Sequence, residues 1–204
     1  MSGSAARRAP GPDARRRDAD RTRAQLLEAA SEIFAAKGLS GARVQEIATR
    51  AGVDKQLISY YFGGKDGLYA EVLQQWRTHE QGLTDDDLPL AEVTVRYLRQ
   101  VLADPRATRL SYWDERDSSE TTPTTARALQ NLRVRKERGE LPTDLDEAAL
   151  LLAITGMVTV AATMPALVER LFGVPPTHPD FESRYVPQVQ RLIGLLTDTA
   201  HQQR

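Results

Sequence analysis

Val44, Ile47, Ala48 and Ala51 fall three and four apart, so residues 44 to 51 read as a short helix with one apolar face. Gly52 follows, a residue type that enters left-handed backbone geometry without a Cβ penalty. Asp54 is a good N-cap for a second short helix, whose inward residues are Leu57, Ile58, Tyr61 and Phe62. Upstream, Leu26, Leu27, Ala30, Ile33 and Phe34 form the buried stripe of a first helix, expected from Asp20 or Thr22 to Lys37 and ended by Gly38. Downstream, a fourth helix starts near Lys65 after Gly63-Gly64 and carries Leu68, Tyr69, Val72, Leu73 and Trp76 on one side. Residues 1 to 19, rich in Arg, Ala, Pro, Gly and Asp, show no apolar period and are expected to be disordered.

Beyond the acidic stretch Gly82 to Asp87, expected as a loop, the helical period continues. A fifth helix is predicted over about Leu88 to Ala103, with Val93, Tyr97, Leu98, Val101 and Leu102 inward. Pro105 suits the first turn of a sixth, carrying Leu110 and Trp113. A seventh, after SSETTPTT, runs to about Arg138 with Leu129 and Leu132 inward; Arg133, Arg135, Lys136 and Arg138 read as a solvated face. From Ala148 to Val168 no charge occurs, a length that would span a membrane. Thr155, Thr159 and Thr163 on one stripe, the interruption by Pro165 and flanks without positive bias favour instead a helix buried on both sides. Residues 180 to 201 close the chain as a helix with Phe181, Tyr185, Val189, Leu192, Ile193 and Leu196 along one side, kinked or delayed by Pro187. No strand pattern appears, so the chain is expected to be all-α, with a small head at 20–66 on a larger body at 67–204.

Charge sharpens this division. Residues 1–65 hold 12 Lys/Arg against 7 Asp/Glu, a net of +5; the remainder holds 15 against 21, a net of −6. A basic head suits approach to a polyanion. Arg7, Arg8, Arg15, Arg16 and Arg17 form either an arm reaching phosphates or a minor groove, or a solvated tail. The chain has no cysteine, which removes disulfides and thiol chemistry, and its N-terminus lacks the apolar run of a signal peptide. A cytoplasmic protein is expected.

An enzyme lacks parts here. His79, His178 and His201 have no metal-ligand spacing, and no nucleophile-elbow, phosphate-loop or dinucleotide glycine motif occurs. Asp85-Asp86-Asp87 reads as a solvated loop rather than a cation site. No cofactor or metal is expected. Helix, glycine turn and capped short helix, in contrast, make a helix-turn-helix, whose second helix enters a DNA major groove. On a helix from Lys55 to Tyr61, residues 55, 56 and 59 lie opposite the apolar side. Lys55 is suited to guanine O6 and N7, Gln56 to adenine, and Ser59 to a base edge or a phosphate. Lys65, at the start of the fourth helix, would share a phosphate with the helix-end N–H groups. Leu57 serves packing or a thymine methyl.

From Ala29 through IFAAKG, VQEIATRAGV and YYFGGKDGLY to about Leu73, the chain resembles the N-terminal DNA-binding domain of the TetR family of transcriptional regulators. The run Tyr60 to Leu68 makes the match specific, although it covers only about a quarter of the chain. The resemblance implies base contacts at Lys55, Gln56 and Ser59, a further contact at Gln45, backbone contacts at Tyr60 and Tyr61, and a phosphate contact at Lys65. Tyr61 serves equally as core. Departures from the family pattern are Ala42-Arg43 where a Thr or Ser N-cap is usual, Asp54 where Ser is common, and Ser59 where an aromatic is common. The missing cap costs about 1 kcal/mol. Arg43 restores a phosphate contact as a full charge. The resemblance further implies a body that holds a small molecule between helices and dimerises through its last two long helices, about 146–168 and 180–201. Tyr97, Trp113, Met157 and Met164 are candidate contacts for an apolar or aromatic effector, with structural core as the other reading of each. The expected function is a homodimeric regulator, a repressor, that leaves a palindromic double-stranded operator when the effector binds. The alternative is an architectural or non-specific DNA-binding protein without an effector.

Overall fold

The computed structural model describes residues 12–80, 88–117 and 122–202. Among the described residues all ten elements are helices: α1 Pro12–Gly41, α2 Val44–Ala51, α3 Gln56–Phe62, α4 Lys65–Glu80, α5 Leu90–Ala103, α6 Arg106–Asp117, α7 Pro123–Glu137, α8 Glu147–Thr163, α9 Pro165–Phe172 and α10 Pro179–Gln202. The protein is all-α. It divides into two compact units between Val72 and Leu73, inside α4. The sequence expectations for Arg7, Arg8, the 82–87 loop and Asp85-Asp86-Asp87 lie outside the described residues.

The first unit contains α1, α2, α3 and the N-terminal half of α4. Leu26, Phe34, Ile47, Ile58 and Leu68 are fully buried, and Val72 nearly so. Phe34 meets Tyr69 edge-on at 5.0 Å between ring centroids. α1 begins eight residues before the Asp20 start expected from periodicity. Thr22 is not its cap: the Thr22 hydroxyl donates to Asp18 O one turn back (2.8 Å), and Arg21 pairs with Asp18 at 3.2 Å. Local polar contacts thus extend the helix through a stretch with no apolar stripe, where Arg16 and Arg17 are exposed. At its other end α1 breaks at Gly38 (φ 68°, ψ 176°) and resumes helical geometry to Gly41.

In the second unit α5 lies against α8 and α10, and α8 also meets α6, α7 and α9. Leu98, Val158 and Ile193 are the fully buried centre of this core. Along α5 the buried residues are Leu90, Thr94, Val95, Leu98 and Val101; Val93 is only half-buried, one step off the expected stripe. Asp146 caps α8 through the Ala149 N–H (2.7 Å). The long uncharged run does not form one rod, because α8 stops at Thr163 and α9 leaves at 90° after Met164. Pro165 starts the new helix, having no N–H to continue the old one. No single helix among the described residues is long and apolar enough to cross a membrane.

Arg135, Lys136 and Leu192 lie elsewhere than expected. Arg135 is 2% exposed and not on a solvated face. It donates to Asn131 Oδ1 (2.7 Å), Glu140 Oε2 (2.9 Å) and Leu88 O (2.6 Å). Lys136 likewise turns inward, to Leu145 O (2.7 Å) and Glu147 (3.0 Å), leaving Arg133 and Arg138 as the exposed pair. α10 runs through Pro187 without ending, and Leu192 lies on its outer side, 53% exposed.

Candidate nucleic-acid interface

A glycine cap and one aspartate contact shape the turn that presents α3. Gly52 takes the left-handed conformation (φ 69°, ψ 30°), and the next N–H, of Val53, reaches back to Ala48 O (3.1 Å). A side chain at 52 would be strained there. Asp54 Oδ1 then accepts the Gln56 N–H at 2.7 Å, but it stands one residue ahead of the N-cap expected of it, a position that Lys55 takes without a side-chain cap bond. Ile58 and Phe62 bury the inner side of α3, while Leu57 and Tyr61 are half-buried. Lys55, Gln56, Ser59 and Tyr60 are exposed together on the outer side. Tyr60 is 78% exposed and rests edge-on against Tyr61, 4.9 Å between centroids.

The α3–α4 junction is held from behind. A Cβ on Gly67 would lie 1.9 Å from Phe62 O, so only glycine allows α4 to approach the end of α3 this closely. Arg23 stacks over the Phe62 ring (5.4 Å) and pairs with Glu71, joining α1, α3 and α4. Lys65 Nζ donates to Leu39 O (2.8 Å) and Ala42 O (3.2 Å) at the α1–α2 connection. Two of its three donors therefore face protein carbonyls, a placement that differs from the phosphate contact expected of it.

On α2, Arg43 stands at the N-cap with no side-chain cap bond and is exposed, as is Gln45. The Gln45 amide lies 3.4 Å from Thr49 Oγ1, which donates to Gln45 O at 2.8 Å. Thr49 thus supports a candidate contact residue and was not singled out from sequence, since an exposed threonine in a helix carries no distinguishing signal. Arg50 is exposed but committed to Glu32, whose carboxylate raises the guanidinium's pKa further. This pair spans α1 and α2, and nothing local in the sequence announces it. Among the described residues, the exposed cationic and amide groups on this side that no carboxylate claims are accordingly Arg43, Gln45, Lys55 and Gln56.

In the second unit, Tyr97 and Met157 pack half-buried against the core. Trp113 is half-buried beside Tyr112, 5.9 Å between ring centroids, and Met164 is 52% exposed at the α8–α9 bend. A separate cleft of about 180 Å³ is lined by Val101, Leu102, Pro105, Arg109, Ala161, Pro165, Pro175, Pro176 and Thr177, and by none of those four.

Comparison with known proteins agrees with this arrangement. The family model for bacterial regulatory proteins of the tetR family matches residues 26–72. The HTH-type transcriptional repressor SCO4008 of Streptomyces coelicolor is 30% identical over 166 residues, 77% of this chain and 86% of the relative. The chain belongs to the TetR family. The HTH-type transcriptional regulator RutR of Escherichia coli O157:H7 is 28% identical over 176 residues, 83% of this chain and 77% of that protein. The solved structure of SCO4942 from Streptomyces coelicolor superimposes with a TM-score of 0.67 at 27% identity, covering 84% of this chain and 97% of that one. As a TetR-family member the protein is a helix-turn-helix DNA-binding transcriptional regulator, with α2 and α3 as its helix-turn-helix.

Proposed function

We propose that the protein is a homodimeric repressor that reads a palindromic operator with α3 and is released by a small molecule held in the second unit. One observation carries the reading. Lys55 at the N-cap of a short helix packed through Ile58 and Phe62, and Gln56, Ser59 and Tyr60 on that helix, turn outward together, three of them suited to base edges or phosphates. Arg43 and Gln45 extend the same polar surface onto α2, and Leu57 and Tyr61 flank it. Lys65 stands behind this surface as its support. Repression is supported by the relative named as a repressor. Dimerisation is supported by α8 and α10, which leave Leu152 (75%), Leu192 (53%) and Leu195 (55%) exposed, large apolar residues on helices whose other sides form the core. For the effector, the half-buried Tyr97, Trp113 and Met157 are the candidate contacts; Met164, exposed at a bend, is a weaker one.

Selection of bound duplexes from a random pool tests the proposal. A palindrome with half-sites about one helical turn, roughly 34 Å, apart is expected, bound about 10³-fold or more tighter than random DNA. A pool that returns no preferred sequence would favour the architectural alternative instead.

A further inference from the structure

The cleft in the second unit has a composition that neither DNA binding nor the core explains. Its walls come from the end of α5 (Val101, Leu102), the α5–α6 connection (Pro105), α8 (Ala161), the start of α9 (Pro165) and the connection into α10 (Pro175, Pro176). These five segments meet there, and four of the contacts are proline rings, whose fixed backbone cannot easily collapse inward. The space is apolar except for Thr177 and one guanidinium, Arg109. An apolar cavity of about 150 Å³ suffices for a benzene ring, so about 180 Å³ accommodates one ring or a short acyl chain.

Arg109 is oriented rather than loose. Its Nε donates to Ala162 O at 2.9 Å, a carbonyl in the last turn of α8. That bond anchors the guanidinium beside the cleft and leaves the N–H groups of both Nη atoms without a partner among the described residues. The nearby carboxylate does not claim them: Asp104 is held by Arg106, through Nε to Oδ1 at 2.9 Å and Nη2 to Oδ2 at 2.7 Å. A half-buried, pre-oriented guanidinium at an apolar wall is matched by a carboxylate carrying a small hydrophobic group, since two parallel N–H bonds suit the two oxygens. We propose that this cleft is a binding site for a small apolar carboxylic acid, with Arg109 holding the carboxylate and the prolines and aliphatic side chains enclosing the rest.

Calorimetric titration of the full chain with benzoate and hexanoate, each against its uncharged amide, tests the site. One acid per chain is expected to bind at millimolar concentration or below, about tenfold or more tighter than its amide. Arg109→Gln should bring acid and amide to equal affinity. Thr177→Trp, a substitution at an exposed position on the cleft, should abolish binding of the acid while leaving Arg109 and its bond to Ala162 in place. The proposal is overturned if neither acid binds, if acid and amide bind equally to the parent, or if Thr177→Trp binds the acid as the parent does. None of these results bears on operator selection, so the site and the DNA-binding reading stand or fall separately.

Discussion

Lys55 and Lys65 lie ten residues apart, yet their amines stand in different surroundings. Lys55 is exposed on the outer side of α3, and Lys65 is tied to Leu39 O and Ala42 O. Lys55→Ala should cost about 1–3 kcal/mol on a selected operator and relax the preference at one base position. Binding assays on single-base variants of the operator check this; unchanged affinity and preference would remove Lys55 from the reading surface. Lys65→Ala should instead lower the stability of the first unit by about 1 kcal/mol, because two part-buried carbonyls lose their donor. It should weaken DNA binding without changing the dependence of log K on log salt. A phosphate contact behaves differently, reducing that slope by about 1. Salt titration of Lys65→Ala therefore separates a support from a phosphate contact, and a reduced slope would return that residue to the phosphate role.

Elements were legible in the sequence wherever their signals were local. The α2–α3 turn needed only Gly52 and Asp54, and both act within three residues of themselves. Arg135 was misread because its burial is decided by Leu88 O and Glu140, groups contributed by connections and not by its own helix face. Arg135→Met should cost about 2–3 kcal/mol by chemical denaturation, less than a fully buried pair because Glu140 remains partly solvated; a variant as stable as the parent would show the network to be neutral. α10 was half legible, since a helix with apolar residues on more than one side gives no period that distinguishes core Ile193 from exposed Leu192. Tyr185 marks its inner side: the phenol donates to Met157 O at 2.8 Å and stacks on Phe181 at 5.0 Å. Burial raises its pKa above the ordinary 10.0. The unfolded chain therefore loses this proton first as pH rises, and stability should fall from about pH 10 upward until the raised pKa is reached. Tyr185→Phe should cost about 1 kcal/mol near neutrality for the lost hydrogen bond, and show a shallower decline above pH 10. Equal slopes in parent and variant would place the alkaline loss elsewhere.

At the scale of the whole molecule, one short helix discriminates only narrowly by itself. Lys55 at the N-cap of α3 and the three outward side chains on it offer few base contacts, and each good bidentate contact discriminates by only about 1–3 kcal/mol. Two copies acting together would double that discrimination and clear with margin the roughly 4 kcal/mol of a 10³-fold specificity ratio. The exposed leucines of α8 and α10 make this testable without touching the DNA-binding unit. Leu192→Glu places a charge where the parent is 53% exposed, so the isolated chain should fold as before. Buried between two subunits, the same charge would oppose its symmetry mate. Sedimentation should then report half the parent's mass. On DNA, binding to a single half-site should be nearly unchanged, while affinity for the full palindrome should fall about 10²-fold or more as the second head is no longer tethered. The parent on the palindrome should also release about twice as many counterions as the variant on a half-site, doubling the slope of log K against log salt. A variant that keeps the parent's mass would show that α10 at this position lies outside the interface, and a parent whose two slopes coincide would show that a single head does all the binding.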